Sequence, residues 1–154
     1  MDIEFLASAT KYKEDVAQMV YEEFVLKIGG TKSLNDVVNY FSNTNVDQFP
    51  ITLIALDDEK CVGTVSIFEN DLKQRQNYKP WLASLYTLPA HRSKGVGSQL
   101  ITEVLKVVKG LGYEEIYLKT ENASDYYRNR GWVYVETLID ANDESIDVFK
   151  HNLN

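Results

Sequence analysis

The chain has 154 residues, 44% hydrophobic and 25% charged, with a formal net charge of −7; this is the profile of one globular domain spanning 1–154. No apolar run has the length of a membrane-spanning helix, and the acidic excess opposes nucleic-acid binding, which rests on lysine and arginine. Cys61 is the single cysteine, so no internal disulfide forms, and the start MDIEF lacks the basic lead of a secretion signal, so the expected setting is the cytoplasm.

In chain order, DIEFLASA alternates and predicts a strand over 2–9. A helix follows over 12–30, with Val16, Val20, Phe24 and Ile28 on one stripe and Gly29-Gly30 as its stop. SLNDVVNYFSN predicts a second helix capped by Ser33. ITLIAL and CVGTVSIF flank the polar turn DDEK and predict an antiparallel hairpin, with Cys61 as a packing residue. LKQRQNYKP, residues 72–80, reads as a polar loop bordering a cleft. WLASLYTL is apolar on both faces, as expected at the centre of a sheet. Val96, Leu100, Ile101, Val104, Leu105, Val108 and Leu111 then form the stripe of a long helix ended by Gly112. EEIYLKT is a strand, ASDYYRNRG a short helix, and WVYVETLI with SIDVFK a closing hairpin around DANDE. The order βααβββαβαββ predicts a mixed α/β fold with a parallel pair formed by the right-handed strand–helix–strand unit at 81–120.

HRSKGVGSQL, at the start of the long helix, contains two glycines that each cost about 1 kcal/mol against alanine inside a helix. A helix N-terminus offers free N–H groups and partial positive charge, and missing Cβ atoms let a phosphate approach the backbone. A close turn and a close helix–strand contact explain the same glycines equally well. A P-loop needs Gly-Lys-Ser/Thr, which SKGVGS lacks. The dinucleotide fingerprint needs a small residue at position 100, where the chain has Leu100, and it normally follows a first strand; Glu121 alone lies at the distance of its ribose-binding acid.

RSKGVG, Arg92 to Gly97, resembles the Arg/Gln-x-x-Gly-x-Gly/Ala motif of the GNAT superfamily of N-acetyltransferases. PWLASLYTLPAHRSKGVGSQLI is similar to that family's fourth strand, pyrophosphate loop and third helix. YLKT with YYRNRGW is similar to its fifth strand, fourth helix and Tyr-x-x-x-Gly-aromatic ending, and the element order agrees along the whole chain. The resemblance implies a central mixed sheet with splayed parallel strands, flanked by about four helices, and acetyl-CoA as cosubstrate. It implies that the backbone of Leu85, Tyr86 and Thr87 pairs with the pantetheine arm and supplies an oxyanion donor. Arg92, Ser93, Lys94, Gly95, Val96, Gly97 and Ser98 would form the loop around the pyrophosphate, with Lys94 adding charge. Tyr127 matches the tyrosine that donates a proton to the leaving thiolate, while Tyr126 beside it would pack.

The general base stays unassigned, because LASLY contains no carboxylate. Glu69 and Asp71 are positioned to act through water and read equally well as solvated loop charges. His91 reads as an exposed loop residue, and no cluster has metal-ligand spacing, so no metal is expected. The implied partner is a primary amine of a small molecule or a peptide, with a homodimer among the arrangements such proteins adopt. Tyr12, Tyr21, Tyr40, Tyr78 and Trp81 are candidates for the acceptor pocket, or for core and rim. A non-catalytic acyl-CoA-binding module and a dinucleotide-binding enzyme are the alternatives.

Overall fold

A computed structural model describes residues 1–27 and 29–154. Ile28, the last member of the first predicted stripe, lies outside the described residues. The elements are β1 (Asp2–Phe5), α1 (Lys13–Val20), α2 (Leu34–Phe41), β2 (Ile51–Asp57), β3 (Lys60–Phe68), β4 (Trp81–Thr87), α3 (Val96–Gly110), β5 (Glu115–Thr120), α4 (Ser124–Arg128), β6 (Val133–Ile139) and β7 (Ser145–Asn152). This is the predicted order. Two compact units emerge, one of 1–67 with 84–104 and the other of 68–83 with 105–154, and the chain passes between them at the last residue of β3, inside β4 and inside α3.

In the first unit the strands run in the order β1-β2-β3-β4. β1 is shorter than predicted, because the chain turns into a 3-10 segment at Leu6–Ser8 that buries Leu6 completely. β2 and β3 pair antiparallel from Ile51↔Ile67 to Asp57↔Lys60 around the two residues Asp58 and Glu59, both at positive φ. That backbone is the turn whose twist matches a right-handed hairpin. β2 and β3 are buried on both faces, and their buried hydroxyls are satisfied: Thr52 bonds Ser66 at 2.8 Å and Thr64 donates to the Leu53 carbonyl at 2.9 Å.

Val16 and Val20 of α1 are buried in a cluster with Leu6, Tyr12, Ile54, Leu56 and Cys61. Phe24 departs from the prediction and is exposed, because the helix continues over Tyr21–Leu26 as a π-helix. The wider i→i+5 turn brings Val25 onto the stripe in place of Phe24. Ser33 caps α2 as expected: Asp36 N–H donates to Ser33 Oγ, and the Asp36 carboxylate accepts from Ser33 N–H. Cys61 packs as predicted, and burial pushes its thiol up to about 11.

In the second unit the order is β4-β5-β7-β6, with β4 parallel to β5 at Trp81↔Tyr117 and the other pairs antiparallel. One residue of β6 is extra: Tyr134 pairs with Phe149, but Glu136 pairs with Val148. This bulge places Tyr134 and Glu136 on opposite faces instead of the same one. The core here gathers Leu72, Trp81, Tyr117, Ile146 and Val148, with Tyr78 and Val135 against it. Along α3, Val96, Leu100, Ile101, Val104 and Val108 are buried as predicted, while Leu105 and Leu111 are half-buried.

Candidate functional site

The glycine-rich stretch lies in the first unit. β4 takes a positive φ of 54° at Ser84, and Leu85, Tyr86 and Thr87 beyond it are half-buried. A 3-10 turn at Pro89–His91 follows, then Ser93 at φ 64° and Gly95 at φ 82°, and α3 begins at Val96. Left-handed residues at alternate positions make a backbone present its N–H groups as a concave row suited to an anion. Gly95 is the position where this geometry needs a glycine, and a Cβ built there meets nothing within 4 Å, so the space in front of it is open. The first amide bonded back along α3 is that of Gln99, which donates to the Gly95 carbonyl at 3.0 Å; the amides before it are the free donors of a helix start.

Arg92, Ser93, Lys94 and Ser98 are exposed around this opening and Gly97 is half-buried. Val96 is buried and anchors the loop. Arg92 Nε donates to the Thr87 carbonyl at 2.9 Å, and its guanidinium carbon stands 5.3 Å from the centre of the Tyr86 ring. The first motif residue thus ties the loop back to the end of β4 and occupies one of the backbone carbonyls expected to meet a ligand. His91 corrects the expectation of an exposed position: its side chain is 19% exposed, with Nε2 3.8 Å from Asp57 Oδ2. The 3-10 turn folds the ring inward. A cleft of about 440 Å³ in this unit is lined by Tyr12, Tyr86 and Cys61 with the carboxylates Asp15, Glu22 and Glu59. Of the five aromatics proposed for a pocket, Tyr12 is the one that lines it.

Tyr127 lies in the second unit on α4. Its ring is half-buried, 6.0 Å from Trp132 and 6.4 Å from Phe149, and its hydroxyl has no hydrogen-bond partner among the described residues. Burial first, and Tyr126 beside it, push the phenol up to about 12 against the opposing effect of Arg130. Tyr126 stacks under the Arg130 guanidinium at 3.5 Å.

The 72–80 loop is more than the polar rim the sequence predicts. Leu72 is buried, Tyr78 stacks on Tyr117 with ring centres 4.6 Å apart, and Arg75 grips Glu136 with Nε at 3.0 Å and the terminal nitrogen at 2.6 Å. Tyr78 also donates to Glu136. These donors, Arg75 first, hold the Glu136 carboxyl down at about 2.

The two carboxylates considered for the base separate clearly. Glu69 is 59% exposed with Lys79 Nζ at 3.9 Å. Asp71 is 23% exposed, Lys119 Nζ donates to its backbone carbonyl at 2.8 Å and stands 3.8 Å from Oδ2, and burial raises its carboxyl against the pull of that lysine. Lys119 and Glu136 escape sequence reading, because their partners lie 48 and 61 residues away. Among the described residues no three His, Cys, Asp or Glu gather as metal ligands, and no helix is long and apolar enough to cross a membrane.

Known proteins resemble the chain in sequence and in fold. An N-alpha-acetyltransferase MAK3 of Arabidopsis thaliana is 27% identical over 107 residues, 67% of this chain and 55% of that protein, so the chain spans about half of that relative's length. N-alpha-acetyltransferase 30 of Schizosaccharomyces pombe is 25% identical over 93% of this chain and 92% of its own length. Among solved structures, an aminoglycoside 6'-N-acetyltransferase complexed with coenzyme A has a TM-score of 0.80 at 17% identity, covering 100% of this chain and 98% of that one. The model of the acetyltransferase (GNAT) family matches residues 17–132, most of the chain and all of the stretch from β2 through α4, and on that match the chain belongs to the GNAT family of acetyltransferases.

Proposed function

We propose that this chain transfers the acetyl group of acetyl-CoA to a primary amine, of a peptide or a small molecule, by direct attack of the amine on the thioester. The observation that carries the reading is the opening before α3, where Ser93 and Gly95 are left-handed, a Cβ on Gly95 would meet only open space, and the exposed Arg92 and Lys94 stand beside the start of the helix. Two linked phosphates fit a concave row of donors of this kind. The backbone of Leu85, Tyr86 and Thr87 supports the pantetheine arm, and an amide of that stretch stabilises the oxyanion. The names of the two relatives favour a peptide α-amine as acceptor.

Tyr127 acts on the departing thiolate. A phenol near 12 stays protonated, and its full transfer to a thiolate with a reference value of ~8.5 is uphill. Its part is therefore to donate a hydrogen bond to the developing sulfur charge.

Thermal melting with and without CoA, beside a panel of peptides, polyamines and aminoglycosides assayed for CoA release, tests the reading. Ligand at 100 times its Kd adds about 2.7 kcal/mol, which is about 5–10 °C for a chain of this size. Gly97→Glu keeps the fold, since an acid near a helix start is favourable, and loses the CoA-dependent rise through repulsion of the phosphates. Stabilisation by NAD(P) and not CoA, or CoA binding without release of free CoA on any amine, overturns it.

A further inference from the structure

We infer that Asp71 is the group that takes the proton of the acceptor amine. The inference deepens the proposed function and rests on it. Ligands of open α/β sheets bind at the carboxyl ends of the strands, and within the second unit Asp71 is fastened at the carboxyl end of β5. Lys119, the residue that holds it, is the penultimate residue of that strand, two beyond the Trp81↔Tyr117 pair with which β4 and β5 run parallel. One residue later β5 ends at Thr120, whose Oγ1 accepts from Ala123 N–H, and α4 begins with Tyr127 on it.

The two groups reach this strand end from opposite faces. Lys119 pairs with Val148 and shares its face with Tyr117 and the cluster around Trp81. Leu118 pairs with Phe149, against which Tyr127 packs. This division lets one group serve the amine while the other serves the departing thiolate. Among the carboxylates of this part of the chain, Asp71 is the one that is largely withdrawn from water yet keeps an accessible edge. Glu69 is solvated, Glu136 is saturated by Arg75 and Tyr78, and Asp147 is saturated by Ser124 and Thr137 at 2.5 and 2.6 Å. Burial also raises the Asp71 carboxyl toward the range in which a base accepts a proton effectively.

The step balances as follows. The ammonium gives one proton to the Asp71 carboxylate, directly or through one water, and the freed lone pair attacks the thioester carbon. The C–S bond breaks and its electron pair goes to sulfur. The second nitrogen proton passes to that sulfur, giving the amide and CoA thiol, and Asp71 returns its proton to solvent.

The test compares wild type with Asp71→Asn on the best panel amine and on its fluorinated analogue, whose nitrogen is largely neutral at pH 7. Asp71→Asn is expected to lower kcat about 100-fold or more with the protonated amine and only a few-fold with the analogue, with acetyl-CoA affinity unchanged. Asp71→Glu is expected to recover most of the loss. Equal losses on both amines mean a structural role and overturn the inference, as does an Asp71→Glu variant as slow as Asp71→Asn. Full activity of Asp71→Asn overturns it while leaving the transferase reading intact. No turnover by wild type on any amine overturns both.

Discussion

Gly63→Ala is the sharpest test of how β3 sets the candidate phosphate loop. A Cβ on Gly63 falls 3.0 Å from Val96 Cγ1, 3.1 Å from the Tyr86 carbonyl oxygen and 3.3 Å from Leu100 Cδ1. Carbon pairs prefer about 3.5–4.0 Å, so both carbon contacts are compressed, and the approach to the carbonyl oxygen is also tighter than an ordinary contact. Leu100 can rotate, but Val96 is stiff at χ1 and the Tyr86 oxygen is backbone, so relief requires α3 or β4 to shift. Overpacking of this kind costs about 1–3 kcal/mol, while replacing glycine restricts the unfolded chain and returns about 0.4–1 kcal/mol. The net expectation is a loss of about 1–2 kcal/mol, or a melting temperature lower by about 2–8 °C. Because the displaced groups are the first residue of α3 and the backbone of β4, CoA affinity falls in the same variant. Thermal unfolding and a CoA titration read both effects. A melting temperature equal to or above wild type with unchanged CoA affinity refutes the reasoning.

Tyr127→Phe removes a donor to a charged sulfur, worth about 1.5–3 kcal/mol, so kcat falls about 10- to 150-fold with CoA affinity nearly unchanged. Its hydroxyl has no protein partner among the described residues, so the melting temperature holds; steady-state kinetics showing wild-type kcat remove Tyr127 from the mechanism. Glu136 contributes through a carboxyl held at about 2, well below its ordinary value, so its stabilisation is complete above about pH 4.5 and disappears as pH falls toward 2. Glu136→Gln therefore melts below wild type at pH 7 and converges with it in strong acid; a constant gap across a pH series of melts contradicts this.

The order of elements was legible because each segment carries a local signal: two apolar runs around a polar turn in β2 and β3, a cap at Ser33, and a stripe from Val96 to Val108. The loop before α3 was legible for the same reason, since its motif is contiguous. Phe24 failed because a shift from i→i+4 to i→i+5 bonding changes the angular step, and nothing in the composition of YEEFVL announces that change. His91 failed because a short 3-10 turn, set by Pro89, aims its ring at Asp57. Lys119 with Asp71, and Arg75 with Glu136, were not legible, because each pair exists only after strands distant in sequence are placed side by side.

The supernumerary residue of β6 can be lost without turning its strand over. Strand pairing has a two-residue rhythm and Val135 falls outside it, so its removal would leave Tyr134 and Glu136 as ordinary neighbours on opposite faces, still across from Phe149 and Val148. The Glu136 carboxylate would keep its side of the sheet and its reach to Arg75 and Tyr78, and the 72–80 segment would keep its clasp. Deletions in this hairpin should accordingly be judged by place as well as by number: one taken at the bulge restores a regular ladder and spares the fastening of a loop some sixty positions upstream.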